Sequence, residues 1–159
     1  MRAVTYATLF VGFLLVFVPG RVLEWSGVRR PATLGLTQVL GLAVVVVGGA
    51  VALWCILTFV FVGKGTPAPF DPPRRLVVRG PYRFVRNPMY IGAALALAGA
   101  ALFYGSWPLL AYTAAFLLIT QLFVLLYEEP TLRRMFGAEY EEYCRRVKRW
   151  WPTRERPPG

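Results

Sequence analysis

The chain has 159 residues, 57% of them hydrophobic, and a formal net charge of +10. This length suits one domain, but the apolar share exceeds the usual globular level of about 45–50% and sits in long blocks, which makes a water-soluble core a poor fit. With no histidine and only two cysteines, Cys55 and Cys144, the chain offers neither a disulfide framework nor a zinc site, and no metal is expected.

The first apolar run, Ala3 to Val18, follows Met1-Arg2 and continues to Trp25. Val18-Pro19-Gly20-Arg21-Val22 offers no small-x-small cleavage site, so a retained span over about residues 3–23 is expected, close to the roughly 20 residues a bilayer requires. After a loop carrying Arg29-Arg30, the chain is apolar from 34 to 62. That is longer than a perpendicular crossing needs, and tilt accommodates the excess. Gly35, Gly41, Gly48 and Gly49 would weaken a helix in water; in lipid they allow close helix contact.

Residues 63–88 form a long polar connection whose first part, Gly63 to Pro73, is broken by prolines. Gly63-Lys64-Gly65-Thr66 lacks the earlier glycine of a phosphate loop. A third span covers 89–105 and a fourth 109–127, joined by the tight turn Ser106-Trp107-Pro108 as an antiparallel hairpin. The expected fold is therefore all-α and integral to a membrane. It has about four transmembrane helices in two hairpins, forming one domain over residues 1–159.

Residues 131–151 complete it as a C-terminal amphipathic helix. Leu132, Phe136, Tyr140, Tyr143, Val147 and Trp150 recur at helical spacing, and Glu141–Arg145 and Glu142–Arg146 are i,i+4 pairs in the favourable order. Such a helix lies on the membrane or covers a site. Lys and Arg crowd the 63–88 connection and the C-terminal tail, while the hairpin turn carries none. The positive-inside rule then places the N-terminus, the connection and the C-terminus in the cytoplasm, in an inner membrane, although Arg21, Arg29 and Arg30 fall on the other side. The basic stretches border apolar segments without any nucleic-acid-binding signature, so the expected partners are the bilayer and a membrane lipid or lipidated substrate, not nucleic acid.

Two polar clusters carry the candidate chemistry. Glu128 and Glu129 end some twenty apolar residues, a costly position for carboxylates unless they are paired or functional. Gln121 precedes Glu128 by two helical turns and is expected on the same face. The bland alternative pairs both acids with Arg133 or Arg134 among headgroups. The second cluster is Tyr82, Arg83, Arg86, Asn87, Met89 and Tyr90. Pro88 biases Asn87 away from helix and suits the first turn of the next span, so Asn87 lies at a helix N-terminus that favours an anionic group. Aromatic rings beside it suit a purine or a cation.

Both clusters belong to the same end of the 89–127 hairpin. Carboxylates, aromatics, a basic side and helix N-terminal amides suit a ligand with ammonium, carboxylate and purine parts, and S-adenosylmethionine has all of them. Methyl transfer from its sulfonium needs alignment more than proton traffic. A carboxylate acceptor needs no base, whereas an amine acceptor needs Glu128 or Glu129. Arg83 or Arg86 is suited to hold an acceptor carboxylate or phosphate.

Leu76-Val77, Gly80-Pro81-Tyr82, Arg86-Asn87-Pro88-Met89-Tyr90-Ile91-Gly92 and Glu128-Glu129-Pro130 together resemble the isoprenylcysteine carboxyl methyltransferase superfamily. Phe136-Gly137-Ala138-Glu139-Tyr140 and Tyr143 to Pro152 extend the resemblance, which covers roughly residues 74–152. It implies a multi-helix membrane core that binds S-adenosylmethionine on the cytoplasmic side and takes a lipidic substrate from the bilayer. It implies cofactor contacts from Arg74, Arg75, Leu76, Val77, Tyr82, Asn87, Pro88, Met89, Tyr90 and Glu128. By their chemistry, Arg86 and Glu129 are the catalytic candidates. Asn87 stands where that superfamily usually has histidine; the phospholipid N-methyltransferases, which look related, also have Asn-Pro-Met-Tyr there and a Tyr-Glu-Glu-Pro like Tyr127 to Pro130. Residues 121–127 also lack the substrate-binding arginine of the eukaryotic carboxyl methyltransferases. The leading expectation is methyl transfer to a lipidic acceptor; phospholipid amine N-methylation and a non-enzymatic membrane packing protein are the alternatives.

Overall fold

A computed structural model describes residues 12–28, 31, 33–58, 61 and 76–153. Among the described residues the regular structure is all helical. Helix α1 is a π-helical turn, Phe13–Phe17, running into Val18–Trp25. Helix α2 is Leu36–Thr58. A short 3-10 turn, Gly80–Arg83, precedes α3, Pro88–Tyr104. Helix α4 is continuous over Trp107–Phe136, and α5 is Ala138–Arg146.

Two of these helices, α2 and α4, are long and apolar enough to cross a membrane. At 1.5 Å rise per residue, 23 residues of α2 reach about 35 Å, against roughly 30 Å of hydrocarbon. Val39, Val46, Val47, Leu53 and Trp54 of α2 and Leu118, Ile119, Leu122 and Leu126 of α4 point outward and are exposed. Exposed apolar faces of this kind mark a surface that meets a membrane or another protein.

The most extensive contact in the chain joins α2 and α3, and glycines make it. Gly41 and Gly48 on one helix meet Gly99 and Gly92 on the other in antiparallel register. A Cβ on Gly48 would stand 2.5 Å from the Ala96 nitrogen and 2.6 Å from the Gly92 oxygen. One on Gly99 would stand 2.6 Å from the Val45 nitrogen. The two backbones therefore touch, which replaces the hydrophobic driving force that lipid cannot supply. Gly49, by contrast, faces open space.

The α3–α4 hairpin forms as its sequence predicts. Gly105 takes φ +60° to end α3, and Ser106 caps α4 by accepting from the Leu109 amide at 3.3 Å. Among the described residues α1 contacts α4. Pro19 contributes to that contact. It has no N–H for the Leu14 carbonyl, which the π-helical register would direct to residue 19. The Tyr112 hydroxyl of α4 donates to that carbonyl instead, at 2.7 Å.

The C-terminal region also departs from one helix over 131–151. Helix α4 continues through Glu128-Glu129-Pro130 to Phe136, and the break comes at Gly137, whose φ of +50° suits glycine alone. Helix α5 ends at Arg146, and Val147 begins an extended segment at φ −118°, ψ 126°. The apolar stripe survives the break: Tyr140, Tyr143 and Val147 are buried with Leu132, Phe136 and Leu76 packed against them. Because the turn at Gly137 folds α5 back, Glu141 pairs with Arg133 at 2.8 Å, not with Arg145. Glu142 holds both Arg145 and Arg146.

Gly48→Leu is expected to separate α2 from α3 and destabilise the detergent-solubilised protein by at least about 1–3 kcal/mol, read as a fall in thermal midpoint. Gly49→Leu should leave the midpoint unchanged, because its side chain enters open space.

Candidate functional site

The loop before α3 is set by Gly80. Its φ is +59°, and a Cβ there would stand 2.7 Å from Thr58 Oγ1, so only glycine lets the chain turn this close to the end of α2. The turn then presses Tyr82 and Val77 into a core with Cys55, against Val51 and Met89. Leu76 packs on the other side, in the C-terminal cluster. Burial pushes the Tyr82 phenol well up, with Cys55 beside it adding to the effect. Tyr143 donates to the Tyr82 carbonyl at 2.6 Å, and its own phenol is raised by burial first and then by Tyr140. Because the folded value is raised, this contribution is present below about pH 10 and is lost as pH rises through the folded value.

Asn87 occupies the N-cap of α3 at φ −121°, ψ 53°, with Pro88 in the first turn. Its side chain is buried and makes no cap bond; it donates to the Arg149 carbonyl at 3.4 Å. One turn into the helix, the Tyr90 hydroxyl donates to Glu128 Oε2 at 3.0 Å. Arg86 Nη1 lies 3.1 Å from Glu129 Oε1 and donates to Cys144 Sγ at 2.8 Å. The two polar patches predicted from the sequence thus meet at one end of the α3–α4 pair.

What aims the two glutamates is a π-helical turn, Val124–Glu128, in which the Glu129 amide donates to the Val124 carbonyl. Pro130 accounts for it. A proline ring clashes with the carbonyl four residues earlier and brings no donor, and widening the preceding turn relieves both faults. Pro19 in α1 stands in the same relation to Phe13–Phe17. The widened turn adds a residue, so Glu129, not Glu128, comes into register with Gln121. Consecutive residues confirm it: Arg149 binds Glu129 and Trp150 Nε1 donates to Gln121 Oε1 at 2.6 Å.

The environments of the two acids diverge. Glu129 is 4% exposed and accepts from Arg149 Nε at 2.7 Å and Nη2 at 2.9 Å, besides its contact with Arg86. That hydrogen bonding holds the Arg149 guanidinium still more firmly protonated. Glu128 is half-buried, and among the described residues Tyr90 is its one hydrogen-bond partner. Arg133 and Arg134 take neither acid: Arg133 pairs with Glu141, and Arg134 Nε donates to the Pro130 carbonyl.

Among the expected site residues, Arg86, Asn87, Tyr90, Glu128 and Glu129 come together, while Leu76, Val77, Tyr82 and Met89 form the packing beneath them. Arg74 and Arg75 lie outside the described residues. Sequence reasoning missed Arg149, Cys144 and the π-helical turn. Pro130, two residues past Glu128, was the available signal for the turn.

A membrane-facing helix pair with this acid–arginine–tyrosine end defines the class. The family model for phospholipid methyltransferases matches residues 36–139, well over half of the chain, and the chain belongs to that family. It thereby joins the superfamily that includes the isoprenylcysteine methyltransferases. Two rice proteins, from the indica and japonica subspecies, are each named probable protein-S-isoprenylcysteine O-methyltransferase. Each is 36% identical to the chain over 81 residues, covering 49% of this chain and 41% of the relative. The match thus spans about two fifths of those relatives' length. No solved structure matches the chain. Family and apolar helices together make this a membrane-associated protein.

Glu129→Gln should destabilise the protein by about 3 kcal/mol or more, since it leaves two partly buried guanidiniums without a countercharge. Glu128→Gln removes only the tighter half of a phenol hydrogen bond, a loss below about 1.5 kcal/mol. Thermal unfolding in one detergent checks the difference.

Proposed function

We propose that this chain is an integral-membrane methyltransferase that uses S-adenosylmethionine and acts on a lipidic acceptor. The observation that carries the reading is the union of Tyr90–Glu128 and Arg86–Glu129 at one end of α3 and α4. The donor set fits the cofactor. Glu128 supplies a carboxylate with a single side-chain partner among the described residues for an ammonium or sulfonium. The amide-rich start of α3 suits the cofactor's anionic side; next to it, toward the acceptor, Arg86 Nε is buried without a hydrogen-bond partner among the described residues. Asn87, Pro88, Met89, Tyr90 and Glu128 belong to the cofactor side in this reading. Leu76, Val77 and Tyr82 hold its floor.

S-adenosylmethionine supplies an electrophilic methyl group when bound. The chain's own residues supply position. Glu128, oriented by Tyr90, sets the place of the positive charge. Arg86, fixed by Glu129, presents a guanidinium to an acceptor carboxylate or phosphate. Glu129 is engaged by two arginines and serves to hold them; any proton removal falls to Glu128. Apolar helix faces keep bulk water away and let the acceptor approach from lipid. The four spans and a cytoplasmic site follow from the same reading, with the basic connection and tail on the inner side.

A carboxylate acceptor, one kind of oxygen acceptor that the O-methyltransferase name of the rice relatives admits, needs no base. A phospholipid acceptor, as in the family's description, needs Glu128 to accept a proton if the methylated group is an amine. A rate that is flat from about pH 6 to 8 identifies the carboxylate, and one that rises steeply identifies the amine. Locating the label after incubation with radiolabelled S-adenosylmethionine and a total lipid extract names the acceptor.

Calorimetry with S-adenosylhomocysteine on detergent-purified protein tests the proposal against a purely structural membrane protein. Binding is expected, and Glu128→Gln and Tyr90→Phe should each weaken it about tenfold while the fold stays intact. Absence of binding by folded protein at millimolar ligand rejects the enzyme reading.

A further inference from the structure

The polar end of the site is covered by chain that no helix holds. Beyond α5, residues 147–153 lie along the loop that precedes α3. The Arg86 amide donates to the Lys148 carbonyl at 3.0 Å, and the Thr153 amide donates to the Phe84 carbonyl at 2.8 Å. The Lys148 amide donates in turn to Thr153 Oγ1 at 3.0 Å, which folds the segment on itself. Two side chains fasten it to α4: Arg149 on Glu129 and Trp150 on Gln121. With the segment in place, Asn87 is 5% exposed and Glu129 4%.

That arrangement carries a consequence for any ligand of the site. The Asn87 amide already donates to the Arg149 carbonyl, over a long 3.4 Å. A molecule that takes up that Asn87 N–H has to displace the carbonyl, and one that reaches the rest of this 5% exposed side chain meets the covering segment. We propose that residues 147–153 form a strap, closed here by Arg149 on Glu129 and Trp150 on Gln121, that lifts to admit and release the cofactor. Arg149 is thereby a positioning residue, because it shares Glu129 with Arg86 and fixes the Arg86 guanidinium only when the strap is down. The inference rests on the cofactor reading above. The strap lies beyond the residues matched by the family model, 36–139.

The physical basis is a short list of replaceable bonds. Extended chain without a helical ladder opens at lower cost than the spans beneath it. The bidentate Arg149–Glu129 contact is geometrically specific, and a lysine cannot reproduce its fork. Opening hands each freed group to water or to the ligand, so the strap has two states and no intermediate need be ordered.

Hydrogen exchange on the full chain in detergent micelles tests this. The Arg86 and Thr153 amides, both bonded across the strap, are expected to exchange about tenfold faster in Arg149→Lys. The α2 and α3 amides should keep their rates. Trp150→Phe, which loosens the other fastening, should act on the same two amides and guards against a folding defect in the first variant. S-adenosylhomocysteine should slow both amides in the unaltered protein, and it should bind and leave faster in both variants. Unchanged exchange at Arg86 and Thr153 in both variants overturns the strap. Looser exchange with ligand association and release at unaltered rates overturns its role as a gate. Failure of S-adenosylhomocysteine to bind any of the three proteins overturns the cofactor reading and the gate with it, a result distinct from the other two.

Discussion

One carboxylate, that of Glu129, ties three parts of this protein together. It belongs to α4, it meets Arg86 from the loop before α3, and it accepts from two nitrogens of Arg149, Nε and Nη2, from the C-terminal segment. A charge buried to this degree is unfavourable unless it is fully paired. Pairing it obliges the loop and the tail to converge on the end of α4. The neighbouring Tyr90–Glu128 and Trp150–Gln121 bonds then fall into place around it.

Two prolines explain most of what is irregular in the helices. Pro19 and Pro130 each follow a π-helical turn, and each turn solves the same problem of a missing donor and a crowded carbonyl. The outcomes differ with the surroundings. In α1 the freed carbonyl of Leu14 recruits Tyr112 and so binds α1 to α4. In α4 the added residue rotates Glu128 toward Tyr90 and Glu129 toward the arginines. A single local fault, repeated, builds a helix contact in one place and separates two adjacent acids in the other.

The glycine contact between α2 and α3 gives the site its foundation. Lipid offers no hydrophobic reward for burying one apolar helix on another, so close backbone approach has to do the work. Gly41, Gly48, Gly92 and Gly99 share it, and the loop from Val77 to Val85 then rests on the end of α2 through Tyr82, Cys55 and Gly80. The start of α3, with Asn87 and Tyr90, is held from below by packing and from the side by α4. Candidate-site residues on helices keep their spacing, while the covering segment has no helical ladder of its own.

Much of this was legible in the chain of residues alone. Apolar blocks announced α2 and α4 as helices long enough to span, because a helix in lipid needs an uninterrupted apolar length, and the tight uncharged turn Ser106-Trp107-Pro108 announced the hairpin. The clusters at Asn87 and Glu128 could be placed at one end because a short turn between two spans leaves no other arrangement. The Gly137 break, the convergence of Arg149 on Glu129 and the exchange of register between Glu128 and Glu129 could not be read there. Periodicity describes a helix by itself, and it continues through a glycine or a widened turn as if neither were present. Which acid meets which arginine depends on contacts between segments far apart in the chain, and only the packed structure sets those distances.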